Sequence, residues 1–480
     1  MFARRDAVPI ITVALTAAVV LLAVNLAVTQ PQAPPAGAQA GVAIIGAAPP
    51  RPGDAHDGDL RAGAAVADIT PPKQFWNIMM GGYFNPQQTP QGAHDPLRAR
   101  ALVLDNGQTR LAIVTADVIS IPVNLRNAVL RRLAPAAGLA PERVMISATH
   151  THSGPGGLTE MKFAAKFLGD FNPQEADFVA AKIAAAIEAA ARSLRPARWG
   201  YASAEVSGFT HNRRGNKTIN PTVTVLRFDA RDGRPIALLV NFATHPVFLD
   251  EDNRLFSADF VGYMLGAIEA RRGGVAMFAN GAQGDQNPDQ DEKIPTAYGR
   301  AEAYGKRMAD EALRIAQRAQ LRPQVALASI LAELQLPKPT APVDVSRAPI
   351  MAVRISDVLL LGVPGEASAE VGLDIIARAR SFGFELPLAI GLANEELSYI
   401  LSREDYQRGG YEAEMSFFGP DLGPTVVAGM TQLARRIQPM ARALSMAPAD
   451  AMPPACATPL VTMPSRGAMN GRGCCAAGRS

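Results

Sequence analysis

The chain has 480 residues, of which 48% are apolar and 19% charged, the composition of a globular protein and not of a disordered one. This length fits either two or three average domains or one large α/β domain with appendages. The formal net charge of +3 is spread along the chain without a basic stripe that alternates with aromatic residues. Nucleic acid is therefore not expected as a partner.

The chain contains three cysteines, Cys456, Cys474 and Cys475, and all of them lie near its C-terminal end. This position excludes a disulfide framework or a thiolate metal site in the main body of the protein. The adjacent pair Cys474-Cys475 is either reactive or a feature of the tail without a function.

The N-terminal segment is typical of an exported protein. Arg4 and Arg5 precede an uncharged, mostly apolar run over residues 8–28, as in a secretory signal. The run is also long enough to span a bilayer. Residues 1–30 are therefore either a cleaved signal peptide or an uncleaved membrane anchor. In both cases the arginines stay in the cytoplasm, which predicts a periplasmic or extracellular location for the rest of the chain.

Composition divides the remainder into three parts. Residues 31–61 are rich in Pro and Ala and are interpreted as a linker. Residues 62–445 contain no low-complexity break and are interpreted as a single domain. Residues 446–480 are rich in Pro, Ala, Met and Gly and are predicted to be a disordered tail.

The pattern of apolar runs predicts hairpins mixed with crossover helices. Hairpins are expected at residues 101–104 with 111–115, around Asn106-Gly107, and at 223–228 with 236–241, around Asp232-Gly233. Further strands are predicted at residues 144–147, 275–279, 324–331, 352–355, 358–363 and 387–392. Helices are predicted at residues 123–132, 175–193, 263–271, 297–319, 368–381 and 425–444. Together these elements predict an α/β fold in which a mixed β-sheet is flanked by helices.

Six of the predicted strands are each followed by polar residues that are able to bind a ligand. Because ligand sites in α/β proteins lie beyond the carboxyl ends of strands, these segments are expected to converge there. The residues, in chain order, are Asp117; His150 and His152; His245; Asn280, Asp285 and Asn287; Glu366; and Asn394 and Tyr399.

His150 and His152 are the strongest candidates for a metal site. Residues two apart at an extended strand end point the same way, so both imidazoles can face one cavity. The segment Ser153-Gly154-Pro155 that follows cannot continue a strand, and its glycine allows close approach to a ligand. A pair of hydrogen-bonded polar residues near a turn is the alternative. Ligand-type residues at the other strand ends favour the metal.

His245 and Glu366 have structural interpretations when each is taken alone. His245 has the character of a buried, hydrogen-bonded histidine, and Glu366 that of an acidic residue at a helix start. Two histidines, a carboxylate and an oxygen donor form a set that suits zinc and leaves a position open for water or substrate. The sequence therefore predicts one Zn²⁺ per chain and hydrolytic chemistry.

Two other segments offer groups that stabilise negative charge. The glycine-rich loop over residues 280–288 either supplies backbone N–H groups to an oxyanion or is an ordinary turn. Arg213, in the sequence Asn212-Arg213-Arg214, either faces an anionic group or belongs to a solvated surface pair.

The segment 149–157, Thr-His-Thr-His-Ser-Gly-Pro-Gly-Gly, resembles the most characteristic motif of the neutral (alkaline, non-lysosomal) ceramidases, amidases that cut the N-acyl bond of ceramide. The resemblance covers residues 63–444, the catalytic domain of that family, and a short tail stands in place of the family's C-terminal immunoglobulin-like domain. The further motifs that occur in the family's order are Asn212-Arg213, the His245 loop, Ser257-Ala258-Asp259, Gly284-Asp285, Pro364-Gly365-Glu366, Gly391-Leu392-Ala393-Asn394 and Tyr399.

The resemblance implies roles for individual residues. It places His152 beside the metal, with Arg213 and Tyr411 lining the pocket. The zinc ligands that it implies are His150, His245, Glu366 and Tyr399.

One loop departs from the family pattern. Where the family has Gly-Asp-Val-Ser-Pro, this chain has Gly284-Asp285-Gln286-Asn287-Pro288. A carboxamide is not an activated nucleophile in the way that a serine beside a base is. Hydrolysis is therefore expected to use zinc-activated water, with His152 or Asp285 moving the proton and Asn287 only hydrogen-bonding.

These observations predict an exported zinc-dependent hydrolase of the neutral ceramidase type, cleaving an N-acyl amide or an ester of a lipid-like or small substrate. The membrane is a further partner if residues 8–28 stay attached. A relative that binds metal and ligand without turnover is the alternative, because of Asn287. An anchored structural protein of the envelope is a third interpretation, but it explains none of the polar strand ends.

Overall fold

The computed structural model describes residues 44–46 and 57–438. The signal or anchor predicted at residues 1–30 and the tail predicted at 446–480 lie outside the described residues. The strands of the described part are β1 (Ile44–Ile45), β2 (Gly58–Asp59), β3 (Arg61–Asp68), β4 (Met80–Gly81), β5 (Gly92–Ala93), β6 (Arg98–Asp105), β7 (Arg110–Ala116), β8 (Val144–Ala148), β9 (Gly154–Pro155), β10 (Arg195–Glu205), β11 (Thr210–Asn212), β12 (Thr222–Ala230), β13 (Pro235–Phe242), β14 (Leu255–Phe256), β15 (Val275–Asn280), β16 (Gln286–Pro288), β17 (Gln324–Val325), β18 (Leu327–Gln335), β19 (Arg347–Ile355), β20 (Val358–Gly362), β21 (Glu366–Ala367), β22 (Leu386–Ile390) and β23 (Tyr399–Ile400).

The α-helices of the described part are α1 (Val123–Arg132), α2 (Ala165–Leu168), α3 (Pro173–Arg192), α4 (Asp259–Arg272), α5 (Ala297–Ala316), α6 (Ala369–Arg380), α7 (Arg403–Gln407), α8 (Tyr411–Glu414) and α9 (Leu422–Arg436). None of them is both long and apolar enough to cross a membrane. The helix predicted at 425–444 begins earlier and ends at Arg436.

The strands form two large mixed sheets. The eight-stranded sheet has the order β15-β13-β12-β10-β3-β6-β7-β8, with parallel pairs at its two edges and antiparallel pairs between them. The five-stranded sheet has the order β1-β18-β19-β20-β22 and is antiparallel except for β20 with β22. Both predicted hairpins are confirmed, β6 with β7 and β12 with β13. In the first, Gly107 takes the positive φ of 86° that its turn requires.

Four layers result from the packing of these elements. The inner faces of the two sheets contact each other through buried side chains such as Leu102, Phe228 and Leu360. Helices α1 and α3 cover the outer face of the eight-stranded sheet at one end, and α4 and α5 cover it at the other. Helices α6 and α9 cover the outer face of the five-stranded sheet. The predicted α/β class is confirmed, with two stacked sheets where the sequence predicted one.

Two central strands escaped prediction because their composition is not typical of strands. β3 reads Arg-Ala-Gly-Ala-Ala-Val-Ala-Asp, and alanine and glycine have weak β-propensity. The small residues are needed because α3 lies close to β3: a Cβ on Gly63 would come within 2.3 Å of the Ala190 carbonyl oxygen. β10 was missed as well, and the strand predicted at 324–331 is divided into β17 and β18.

The N-terminal boundary of the fold lies earlier than residue 62. Within the predicted linker 31–61, β1 pairs with Glu333 and Leu334 of β18, and β2 pairs with β17. β3 begins at Arg61. The proline and alanine content suggested a linker, but β1 forms an edge of the five-stranded sheet and β2 forms a two-stranded sheet with β17.

Sheet twist explains why loops from distant strands meet. Seven successive strand pairings connect the edge strands β8 and β15, and five of them are antiparallel. In a flat sheet the two edge strands would therefore run in opposite directions. Adjacent strands rotate by ~20–25°, and seven steps accumulate roughly 140–175°. The carboxyl ends of β8 and β15 are thereby brought together, and Asn280 Nδ2 donates to the Thr149 carbonyl oxygen at 3.4 Å.

Candidate metal centre

His150 is held at the end of β8 in an uncommon backbone conformation. Its φ is 74°, in the left-handed region that few non-glycine residues adopt. Its backbone N–H donates to the Val118 carbonyl oxygen at 3.1 Å. Its Nδ1 lies 2.7 Å from the Ile119 carbonyl oxygen. The imidazole is thus fixed with Nε2 free to face the cavity.

His152 faces the same cavity, as predicted, although strand alternation is not the reason. β8 ends at Ala148, so the two histidines lie in the following loop, and their ring centroids are 4.9 Å apart. The Nε2 atoms of His150 and His152 are 3.4 Å apart. The Nδ1 atom of His152 is buried and has no hydrogen-bond partner within residues 44–46 and 57–438. Its ring packs against Tyr83 at 4.9 Å and against the backbone at Gly82.

His245 and Glu366 complete the cluster from the other strand ends. His245 follows β13, is fully buried, and has its Nδ1 3.2 Å from the Gln286 carbonyl oxygen. Glu366 lies in β21, while the N-cap of α6 is Ser368, so Glu366 does not have the helix-capping role that was its alternative interpretation. Instead, its Oε2 lies 3.1 Å from both His150 Nε2 and His245 Nε2.

The charges at this point favour a cation. Burial and the nearby Arg213 lower the pKa of His245 to about 4, so its imidazole is neutral at pH 7. A carbonyl oxygen only accepts, so Nδ1 of His245 carries the proton and Nε2 presents a lone pair. A lone pair facing a carboxylate oxygen at 3.1 Å is repulsive unless positive charge lies between them.

The groups at the cluster therefore fit a metal ion. Among the described residues, the ligand atoms of His150, His152 and His245 lie within 4.8 Å of one another. The contacts to Glu366 add a carboxylate oxygen to two of these three histidines. Nitrogen and oxygen donors of this kind suit zinc.

Tyr399 reaches the cavity beside Glu366. Burial and the Glu366 carboxylate raise the pKa of Tyr399 well above its usual value, so the phenol keeps its proton. Its hydroxyl oxygen accepts a hydrogen bond from Arg213 Nη2 at 2.9 Å. Tyr411 packs against the Tyr399 ring at 5.7 Å and is 48% exposed at the cavity mouth.

Arg213 joins the cluster to the neighbouring loops. Its guanidinium donates to Glu412 at 2.7 Å, to the Gly284 carbonyl oxygen at 2.9 Å and to Asn287 Oδ1 at 3.3 Å. Burial opposes its charge, but the contacts with Tyr399 and Glu412 outweigh burial and raise its pKa. Arg213 is therefore not part of a solvated surface pair.

Asp285 lies behind the cluster. Its Oδ2 accepts from Asn212 Nδ2 at 2.7 Å and its Oδ1 accepts from the Ala369 backbone N–H at 2.8 Å, so both oxygens are occupied at the start of α6. Burial raises its pKa to about 6. Asn287 lies in β16, opposite His211 of β11, and its side chain faces Arg213.

The remaining strand-end residues support the loops from outside the cavity. Asp117 accepts from Arg100 at 3.1 Å, Asn280 donates to the Thr244 carbonyl oxygen at 3.0 Å, and Asn394 accepts from the Ile146 N–H at 3.1 Å. These side chains thus hold the loops and strand ends around the cavity in place. At the sequence level they could not be distinguished from residues that reach a ligand.

His150, His152 and Glu366 of the cluster line a cavity of about 50 Å³ together with apolar and other polar side chains. Glu396, which the sequence did not single out, also lines this cavity. Its position between Asn394 and Tyr399 was the one available signal. The lining residues are Gly82, Phe84, Ile119, Ser120, His150, His152, Phe167, Leu168, Glu366, Glu396, Ser398, Tyr399, Tyr411 and Met415.

Residues 60–304 match the model of the neutral/alkaline non-lysosomal ceramidase family, N-terminal part. The chain belongs to this family. The resemblance predicted from the motif around His150 is thereby confirmed. The match begins just before β3 and includes the loops of His150, His245 and Asn287.

Similar proteins include several neutral ceramidases. A neutral ceramidase of Mycobacterium tuberculosis is 29% identical over 48% of this chain, and the match covers 41% of that relative's length. A neutral ceramidase of Pseudomonas aeruginosa is 25% identical over 77% of this chain and 71% of the relative. The crystal structure of the Pseudomonas aeruginosa protein matches with a TM-score of 0.73 over 80% of this chain and 75% of that chain, at 24% identity, which shows a shared fold.

Proposed function

We propose that this protein is a zinc-dependent hydrolase that cleaves an N-acyl amide of a lipid-like substrate. The observation that carries the proposal is the approach of His150 Nε2 and His245 Nε2 to one atom, Glu366 Oε2, at 3.1 Å each. Two ligands of a tetrahedral zinc ion at ~2.0–2.1 Å are separated by ~3.3 Å. The cluster thus has the spacing that one ion needs, and membership in the ceramidase family supports amide chemistry.

The hydrogen bonds of the histidines support His150 and His245 as ligands, with His152 beside them. Ligating histidines donate their other ring N–H to a fixed acceptor. His150 has the Ile119 carbonyl oxygen and His245 the Gln286 carbonyl oxygen in this role. His152 Nδ1 has no such partner in the part of the chain that the structure describes, so its tautomer is not fixed by a hydrogen bond. We assign Glu366 and Tyr399 as the remaining ligands.

Zinc in this position supplies a Lewis acid that polarises a carbonyl oxygen and lowers the pKa of water. Burial lowers the pKa of His152 well below its usual value, so its ring is neutral and able to accept a proton in the cavity. Tyr411 lines the cavity, and Arg213 bonds the Tyr399 hydroxyl beside it, so we assign both to positioning the amide. Phe84 and Phe167, whose rings are 5.4 Å apart, provide an apolar surface for an acyl chain.

Asn287 is not assigned as a nucleophile. Its carboxamide accepts from Arg213, and a carboxamide does not attack an acyl carbon as an activated alcohol does. Asp285 is assigned to positioning, because both of its oxygens hold backbone and side-chain donors. Proton movement is assigned to His152.

Export is the second part of the proposal. Arg4, Arg5 and the apolar run over residues 8–28 support a secretory signal or an anchor, with the folded part in the periplasm or outside the cell. Protease accessibility of the intact cell or spheroplast, compared with a cytoplasmic marker, tests the location.

A screen of the full chain over N-acyl amides and esters of varied chain length tests the activity. Turnover that is abolished by a chelator and restored by Zn²⁺ is expected. A zinc-loaded, folded protein that hydrolyses none of these substrates would contradict the proposal.

A second candidate is a relative that binds metal and ligand without turnover, which the presence of Asn287 favours. The variants Asn287→Ser and Asn287→Ala distinguish the two. If wild type and Asn287→Ala both turn over substrate, the water route is supported. If activity arises only in Asn287→Ser, the wild-type protein is a non-catalytic binder.

A further inference from the structure

Glu396 differs from the other carboxyl groups near the metal centre. Its Oε1 accepts from the Ser398 backbone N–H at 2.7 Å, but its Oε2 is buried and has no hydrogen-bond partner among the described residues. Buried polar atoms are nearly always hydrogen-bonded. Both oxygens of Asp285 and both of Glu412 are bonded in this way.

The position of Glu396 connects its unpartnered oxygen with the cavity. In the part of the chain that the structure describes, three carboxyl groups have a buried oxygen without a partner: Glu175, Glu396 and Asp405. Glu396 is the one of the three that lines the cavity with His150, His152 and Glu366. A hydrogen-bonding partner for Glu396 Oε2 is therefore expected to come from a molecule bound in the cavity.

The loop that carries Glu396 is fixed before any ligand binds. The Asn394 N–H donates to the Ile146 carbonyl oxygen at 2.9 Å, and the Leu397 N–H donates to the Pro364 carbonyl oxygen at 3.0 Å. The preceding Glu395 accepts from the Val123 N–H at 3.2 Å. A carboxyl group on such a loop is positioned in advance, which reduces the entropic cost of binding.

The lining of the cavity suits an amphiphilic amide. Its apolar side chains, Phe84, Ile119, Phe167, Leu168 and Met415, are able to contact an acyl chain. With the acyl chain on these side chains and the scissile carbonyl at the histidine cluster, the amine half of the amide is left to the polar lining residues. Glu396 is one of them.

We propose that the Glu396 carboxyl group is a specificity-determining residue that binds a hydrogen-bond donor, a hydroxyl or an ammonium group, on the amine half of an N-acyl amide. This inference rests on the proposed function. It adds that substrates with a polar amine half are selected over those with an alkyl amine half. A site built to bond a polar group rejects an analogue that lacks it, because the buried atom is then left without a partner.

Three matched substrates of one acyl chain test the inference: the dodecanoyl amides of ethanolamine, ethylenediamine and propylamine. They differ in a hydroxyl, an ammonium and a methyl group at the same position. With the zinc-loaded full chain, we expect kcat/KM for the better of the two donor-bearing amides to exceed that for the propyl amide by about tenfold to a hundredfold. The donor that is preferred identifies the class of amine.

The variant Glu396→Leu separates selection from folding. It is expected to bring the ratio of kcat/KM between donor-bearing and propyl amides close to one while the propyl amide is still hydrolysed. Glu395→Gln is the matched control, since Glu395 bonds the Val123 N–H and does not line the cavity. This control should keep the wild-type ratio, and melting curves of both variants report on the fold.

The inference and the proposed function fail in different ways. A wild-type ratio close to one, or the same ratio in Glu396→Leu as in wild type, would overturn the inference while the hydrolase remains. If the wild type hydrolyses none of the three amides, the proposed function fails. Calorimetric binding of the same amides to the zinc-loaded protein then tests the inference, and equal affinities for the donor-bearing and propyl amides would overturn it.

Discussion

Glu366 and Tyr399 lie directly opposite each other in the parallel pairing of β21 with β23. The Glu366 N–H donates to the Ser398 carbonyl oxygen at 3.0 Å and fixes this register. Directly paired residues project to the same side of a sheet, so the carboxylate and the phenol enter one cavity. The strand pairing thus places two candidate oxygen ligands side by side. Neither local sequence alone would connect them.

The first prediction concerns Tyr399 as a ligand. Tyr399→Phe removes the hydroxyl and keeps the ring, so the fold should persist while zinc affinity falls by more than the roughly 10–100-fold that loss of a supporting hydrogen bond costs. Competition with a chromophoric chelator measures the affinity. The control is Tyr411→Phe, which removes a hydroxyl at the cavity mouth and should retain wild-type affinity. Equal affinities in Tyr399→Phe and wild type would show that the phenol is not a ligand.

Gly284 should be intolerant of a side chain. A Cβ at this position would lie 2.4 Å from the Glu366 carbonyl oxygen, so Gly284→Ala must displace the strand that carries the ligand. Overpacking of this kind costs about 1–3 kcal/mol of the free energy of unfolding. Urea denaturation measures the loss. Gly266→Ala in α4 is the control, because its Cβ meets nothing within 4 Å. A Gly284→Ala protein as stable as this control would contradict the packing described.

The stability of the protein should fall as pH rises, through Glu175. Burial raises the pKa of this carboxyl to about 8, against ~4.3 in an unfolded chain. Between these pH values the folded state holds the proton and the unfolded state does not. The contribution of Glu175 to the free energy of unfolding is therefore fully present below pH ~4.3 and is lost as the pH rises to about 8.

Glu175→Gln should remove this loss. The advantage of the variant over wild type is expected to be about 3–4 kcal/mol larger at pH 8 than at pH 5. Urea denaturation at the two pH values gives the difference. Both proteins are measured at pH 5 and at pH 8. If the free energy of unfolding changes by the same amount in wild type as in the variant, this would contradict the buried, protonated state of Glu175.

His152 should be needed for turnover and not for the metal. His152→Ala removes the ring that lies beside the metal ligands, so zinc content should stay close to that of wild type while kcat falls by about 10²–10⁴-fold. Zinc analysis and kinetics on the same preparation give both values. Loss of zinc in this variant would instead place His152 among the ligands, as the close approach of its Nε2 to His150 Nε2 at 3.4 Å also permits.

The structure brings together four residues that the sequence had singled out separately: His150, His152, His245 and Glu366. They could be singled out because polar ligand-type residues after apolar runs are unusual and their chemistry is specific. The strand β3 was missed because the close approach of α3 selects alanine and glycine over β-branched residues there. Packing between distant segments is not visible in a local pattern.

Other errors came from the same source. Asp285 and Glu396 are both acidic residues in loops after strands, yet one holds the start of α6 and the other lines the cavity. Their side-chain direction depends on loop conformations such as the positive φ of Asn394 and Ser398. Sequence alone does not fix these angles, so the two roles could not be separated.

The metal content of the purified full chain tests the central claim most directly. Elemental analysis should find close to one zinc per chain in the wild type and close to none in His150→Ala and Glu366→Ala, with melting curves to confirm that the variants are folded. His150→Ala removes Nε2 and Glu366→Ala removes Oε2, the two atoms that lie 3.1 Å apart. Full zinc occupancy in both folded variants would contradict the assignment of this cluster as the metal centre.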